Sequence, residues 1–136
     1  MKHFHYIFTG SGLAALMTAY KMVQSGKYKD KSILLLDDNS KKTNDRTWCF
    51  WKKEKSTWES IVSKKWNYAL FANKDFRRNL DLQPYQYYKI EGLDFYNFVF
   101  ELLSKQENIT FLNEKATDIN ELENHVYVAS ENNSFT

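Results

Sequence analysis

A single cysteine, Cys49, stands among 136 residues. A lone thiol excludes an internal disulfide and fits a reducing compartment. No stretch reaches the roughly 18 apolar residues that a membrane-crossing helix needs. The N-terminus runs straight into an apolar strand, without the hydrophobic core of a secretion signal, so the expected location is the cytoplasm. Charge of one sign is also lacking: 19 Lys and Arg face 17 Asp and Glu, for a net +2. Lysines, arginines and tryptophans alternate between Lys52 and Arg78, as a platform for single-stranded nucleic acid would require. Acidic residues interrupt that run, however, and no nucleic-acid partner is expected. Four glycines and one proline are few, and two of the glycines lie at positions 10 and 12. There is no internal repeat and no low-complexity tract, and no residue is assigned to a metal.

What is present begins at His5-Tyr6-Ile7-Phe8-Thr9-Gly10-Ser11-Gly12-Leu13-Ala14-Ala15. This reads as a short apolar strand, a tight glycine turn and the start of an amphipathic helix. That order is the dinucleotide-binding fingerprint, with Ala15 in place of the third glycine. Gly10 lets the chain turn sharply, Gly12 lets the backbone approach a pyrophosphate, and Ala15 lets the helix pack closely on the strands. The helix N-terminus offers unpaired N–H groups and a partial positive charge to phosphate. Leu13, Leu16, Met17, Tyr20 and Val23 follow helical spacing. The unbroken run Ile33-Leu34-Leu35-Leu36 then suits a parallel strand buried on both faces. It ends at Asp37, 22 residues after Ala15, where a ribose hydroxyl needs an acceptor. The cofactor-binding residues expected on this basis are Gly10, Ser11, Gly12, Leu13, Ala15 and Asp37. Arg46, in the polar loop that follows, is a further candidate for a phosphate.

Along the chain, the pattern predicts a strand over 3–9, a helix over 12–25 stopped by Gly26, and a second strand over 32–37. Thr47-Trp48-Cys49-Phe50-Trp51 places three large aromatics within four positions, either as a packing strand or close to the cofactor. Ser56-Thr57-Trp58-Glu59 matches a capping box and predicts a short helix over 58–64. Residues 66–71, 77–82 and 87–90 have strand character and read as the start of an antiparallel layer. Phe95, Phe98, Val99, Leu102 and Leu103 predict the clearest helix, over 93–104. It serves as the crossover to a parallel strand at 109–112. Segments 116–119 and 125–129 read as a meander. The expected division is a dinucleotide-binding core at 1–48 and 93–136, with 49–92 inserted towards a substrate layer. A doubly wound α/β sheet normally has more strands than this, so the chain reads as the front part of a longer protein. Asp45 and Glu54 flank the aromatic stretch but read as surface carboxylates, and no catalytic residue is assigned.

Asn44-Asp45-Arg46-Thr47-Trp48-Cys49-Phe50-Trp51 resembles the bacterial lycopene β-cyclases. So do the glycine turn, the acidic end of the second strand, and Tyr87-Tyr88-Lys89-Ile90 ahead of a helix. The likeness extends from His5 to about Ile119. It implies a Rossmann-like FAD-binding fold of the aromatic-hydroxylase and glutathione-reductase type, incomplete here. It also implies reduced FAD as cofactor, with NAD(P)H as an electron source. The implied partner is lycopene, whose end groups become β-rings (γ-carotene and β-carotene) by acid-initiated cyclisation. Peripheral attachment at the inner membrane goes with such a substrate. Two alternatives stay open: another FAD-dependent reductase or monooxygenase of isoprenoid or aromatic substrates, and an inactive nucleotide-binding fragment.

Overall fold

The glycine turn joins β1 (Tyr6–Thr9) to α1 (Leu13–Ser25), and the chain returns in β2 (Ile33–Leu36). β1 and β2 pair in parallel, from Tyr6 opposite Ile33 to Thr9 opposite Leu36. Gly26 ends α1 in the left-handed region at φ 67°, and its N–H donates to the Val23 carbonyl at 3.1 Å. That is the C-terminal stop a glycine provides most cheaply. The computed structural model describes residues 1–41 and 43–136. Two units divide them: Met1–Ser40 with Val99–Thr136, and Lys41–Phe98.

In the Lys41–Phe98 unit, β3 (Thr47–Lys52), β4 (Val62–Trp66) and β7 (Gln86–Glu91) form an antiparallel sheet in the order β3-β7-β4. β5 (Tyr68–Ala72) and β6 (Arg77–Asp81) form a separate antiparallel hairpin. The helix expected over 58–64 is not formed. Only Glu59–Ile61 makes a 3-10 turn, and the chain then extends into β4. Ser56 Oγ accepts the Trp58 N–H at 3.2 Å, but this closes a local turn ahead of Glu59–Ile61, which itself has no side-chain cap bond. Beyond it, pairing with β7 takes the Val62–Trp66 backbone and Ser63 Oγ donates to the Lys89 carbonyl at 3.2 Å, so sheet hydrogen bonds override a short helix. The strand expected over 66–71 is likewise divided at Asn67, between β4 and β5.

α2 (Gly92–Leu103) follows β7 without a loop. Its first two turns close the core of this unit. Trp48 meets Phe95 and Tyr96 edge-on at 5.1 and 5.6 Å, and Trp58 meets Phe95 and Phe98 at 5.3 and 5.7 Å.

The chain re-enters the first unit through the end of α2 and adds β8 (Ile109–Leu112) beside β2, giving a parallel sheet in the order β1-β2-β8. β9 (Ala116–Glu121), β10 (Val126–Ser130) and β11 (Ser134–Phe135) form the expected meander. All four residues of β2 are buried, and strand alternation sends them to opposite faces. Leu34 and Leu36 join Phe4, Val128 and Phe135 in one cluster, with Ile7, Leu112 and Ala116 at its margin. Ile33 and Leu35 point to the other face, which the crossover helices must cover. Leu16 and Ala19 of α1 and Val99 and Leu103 of α2 are fully buried, as that layering requires. The sheet therefore presents the carboxyl ends of three parallel strands together, where open α/β sheets bind ligands.

Candidate nucleotide site at the carboxyl ends of the parallel strands

Thr9, Leu36 and Leu112 end the three strands in register. Backbone bonds tie the following residues across the sheet: Gly10 N–H donates to the Leu36 carbonyl at 2.7 Å, and Asp37 N–H to the Leu112 carbonyl at 3.1 Å. Gly10 sits at φ 109°, a conformation that disfavours any side chain, so the turn itself demands glycine. Gly12 is different. Its φ of −75° and ψ of −174° are ordinary extended backbone. A Cβ built there meets no protein atom within 4 Å. Among the described residues nothing requires glycine at 12, and the space over it is open.

Gly12 also caps α1, with no side-chain cap bond and no acidic residue in the first turn. The first helical bond, Leu16 N–H to the Gly12 carbonyl at 3.0 Å, leaves the preceding N–H groups without helical partners. Leu13 and Ala15 belong to that first turn. A helix start bare of capping side chains, preceded by open space over Gly12, fits a diphosphate.

Asp37 faces the same turn. Its Oδ2 accepts the Ser11 N–H at 2.5 Å and the Ser11 hydroxyl at 3.0 Å, and its Oδ1 accepts the Asn39 N–H at 2.7 Å. Ser11 is one of two buried polar residues among those described. Beside this pair opens a cavity of about 250 Å³. Ser11, Asp37, Asn39, Ser40 and Asn113 give it polar walls, and Leu35, Leu112, Phe100 and Phe111 an apolar floor. The Phe100 and Phe111 rings meet edge-on at 5.2 Å. Asn113 follows β8 as Asp37 follows β2. With its amide nitrogen turned towards them, it donates to the Asp37 and Asp38 carbonyls at 3.2 and 3.3 Å. Sequence reasoning passed over Asn113, although the rule that ligands lie beyond the carboxyl ends of parallel strands points to it.

A larger cavity, about 550 Å³, lies along β1 and the meander and includes His3, His5 and His125. It is a mostly apolar groove, and among the described residues no His, Cys or carboxylate cluster is arranged to hold a metal.

Arg46 belongs to the other unit. Its side chain is exposed, with Nε 3.9 Å from an Asp45 carboxylate oxygen, and its backbone carbonyl accepts the Gly92 N–H at 2.7 Å. Its neighbours hold the start of α2. Asn44 Nδ2 donates to Glu91 at 3.0 Å while its Oδ1 accepts the Leu93 N–H at 3.2 Å. Thr47 Oγ1 donates to Glu91 at 3.3 Å, and the Tyr96 hydroxyl to Asp45 at 3.3 Å. The Lys89 ammonium, then the Asn44 amide, hold the Glu91 carboxyl below the usual carboxylate range. The exposed Cys49 thiol is a partner of Tyr87, whose phenol is pushed above its usual range by that hydrogen bond and by lost solvation.

The fold is shared with structurally characterised flavoenzymes. PqsL of Pseudomonas aeruginosa, described as a probable FAD-dependent monooxygenase, matches at a TM-score of 0.73 with 10% identity, over 98% of this chain and 40% of that one. The p-nitrophenol 4-monooxygenase PnpA of Pseudomonas putida DLL-E4 matches at 0.74 with 14% identity, over 99% and 39%. NikD, an amino acid oxidase of nikkomycin biosynthesis, matches at 0.64 with 11% identity, over 99% and 49%. The chain thus spans less than half the length of these proteins. A sequence comparison with curated proteins gives no significant match. The family model for "Lycopene cyclase protein" matches residues 6–135, and the chain belongs to the lycopene cyclase family.

Proposed function

We propose that this chain is the dinucleotide-binding front portion of a lycopene β-cyclase and that the ligand of its glycine turn is FAD. The observation that carries the reading is the coincidence at one place of three features. They are an open Gly12, an uncapped helix start, and an acid at the end of β2 bound to the turn residue between the two glycines. In this reading the N–H groups from Gly12 through Ala15 receive the diphosphate, Asp37 receives the ribose, and the cavity floored by Phe111 and Leu112 receives the adenine. Arg46 is a candidate for a phosphate oxygen on the strength of its exposed charge. The nucleotide-binding core is assigned to 1–48 and 93–136, with 49–92 as the start of a substrate layer.

Family membership directs the chemistry towards carotenoid end groups. A terminal double bond of lycopene takes a proton, its neighbour closes the six-membered ring on the resulting cation, and loss of a proton leaves the β-ring. Bound reduced flavin supplies an electron-rich face that stabilises the cation, with NAD(P)H as the source of its electrons. This chain's own residues bind and orient the nucleotide; the proton donor is not assigned to any of them. No helix among the described residues is long and apolar enough to cross a membrane, and contact with the lipid-dissolved substrate is proposed to be peripheral.

Titration with FAD, followed by quenching of flavin fluorescence and competition by ADP, tests the binding. Saturable binding displaced by ADP is expected, and its absence overturns the assignment. For the reaction, the whole cyclase of which this chain is proposed to be the front portion is given lycopene, FAD and NAD(P)H without oxygen. Products of unchanged mass with β-rings are expected. Oxygen-containing products formed only in air would point instead to a monooxygenase.

A further inference from the structure

Ser11 occupies a position where the fingerprint accepts any residue, yet it is almost fully buried and both of its donors are used on one atom. Its N–H and its hydroxyl converge on Asp37 Oδ2 at 2.5 and 3.0 Å, while the Asn39 N–H fixes Oδ1 at 2.7 Å. The N–H bonds alone would tether the carboxylate, and any residue at 11 would supply the first of them. The hydroxyl is the contribution of serine, a third charge-assisted bond that holds the carboxylate plane against rotation. A donor already used on Asp37 does not serve a phosphate.

We propose that Ser11 acts on the nucleotide through Asp37, as a positioning residue that aims the carboxylate at the ribose diol, and not as a phosphate ligand. The inference rests on the nucleotide reading above. An acceptor held in its bound orientation binds a diol without first losing side-chain freedom. The gain falls only on ligands that carry the hydroxyls, and this separates positioning from general support of the turn.

The test is a cycle between residue and ligand. ADP and 2′,3′-dideoxyadenosine diphosphate are titrated into the chain and into Ser11→Ala, Ser11→Cys and Ser11→Thr, with backbone amide shifts as the readout. Loss of the carboxylate's pre-set orientation predicts roughly three- to tenfold weaker ADP binding for Ser11→Ala. The dideoxy ligand should change less than about twofold, because it never meets the aimed oxygens. Ser11→Cys keeps the shape with a weaker donor and should follow alanine, whereas Ser11→Thr keeps the hydroxyl and should restore ADP. Equal weakening of both ligands by Ser11→Ala and Ser11→Cys means that Ser11 only supports the turn, and overturns the inference while nucleotide binding stands. Failure of the unaltered chain to bind either ligand overturns the nucleotide reading and this inference with it.

Discussion

Replacing Gly12 by alanine separates the fold from the ligand. The backbone there, φ −75° and ψ −174°, suits alanine as well as glycine, and the new methyl meets no protein atom within 4 Å. Two small terms oppose each other in the free protein. Alanine restricts the unfolded chain, which stabilises by about 0.4–1 kcal/mol. It is also a poorer N-cap than glycine, at a cost of about 0.5–1 kcal/mol. Their near-cancellation predicts a melting temperature within about 3 °C of the parent. The ligand has no such compensation. A methyl in the space over the helix start pushes the diphosphate away from the N–H groups, an overpacking cost of about 1–3 kcal/mol. FAD affinity should then fall roughly tenfold to hundredfold. Gly10→Ala is the control with the opposite emphasis. At φ 109° an added Cβ is strained by about 1–3 kcal/mol whatever the ligand, so its melting temperature should fall. Circular-dichroism melts read the first quantity and fluorescence titration the second. A Gly12→Ala protein that melts like the parent and binds FAD equally well would falsify the placement of the diphosphate.

Gly92→Ala should be damaging for a purely structural reason: its Cβ would lie 2.7 Å from the Arg46 carbonyl oxygen and 3.2 Å from Arg46 Cβ. Relief requires stretching the Gly92–Arg46 hydrogen bond, and a loss of about 2 kcal/mol, seen as a lowered urea midpoint, is expected. A midpoint within error of the parent refutes the close approach. Glu91 has a folded-state pKa below its unfolded value, chiefly through Lys89 and then Asn44. Its contribution is therefore fully present above the ordinary carboxylate range and is lost as pH falls through the depressed folded-state value. Melts between pH 7 and pH 3 should show a shallower acid decline for Glu91→Gln than for the parent, and parallel declines would contradict this. Glu114, depressed chiefly by the Ser130 hydroxyl, predicts the same sign for Glu114→Gln.

Most of the Met1–Ser40 and Val99–Thr136 unit could be read from sequence because its signals are local and strong. The Leu-rich run has one plausible environment, a strand buried on both faces, and β2 is such a strand. The glycine turn needs φ 109° at Gly10, which only glycine meets without strain. The Val62–Trp66 segment was legible only in part. The Ser56–Glu59 pattern favours a helix locally, and only pairing with the distant β7 turns the segment into strand. Asn113 and Gly92 carried no local signal either: one acts through backbone carbonyls opposite its strand, the other through contact with a carbonyl 46 positions away. Long-range hydrogen bonds of this kind have no periodicity for a sequence to display.

Asn44, Thr47 and Trp48, within the Asn44–Trp51 stretch that carries the family likeness, are occupied with assembly. Asn44 and Thr47 fasten the junction of β7 and α2, and Trp48 closes on the rings of α2. A mutational scan scored by product alone would therefore map these positions onto the reaction centre. Scored for soluble yield as well, the same scan should return them to the scaffold. Retention of this segment in a distant relative thus testifies to a shared way of building, before it testifies to a shared reaction.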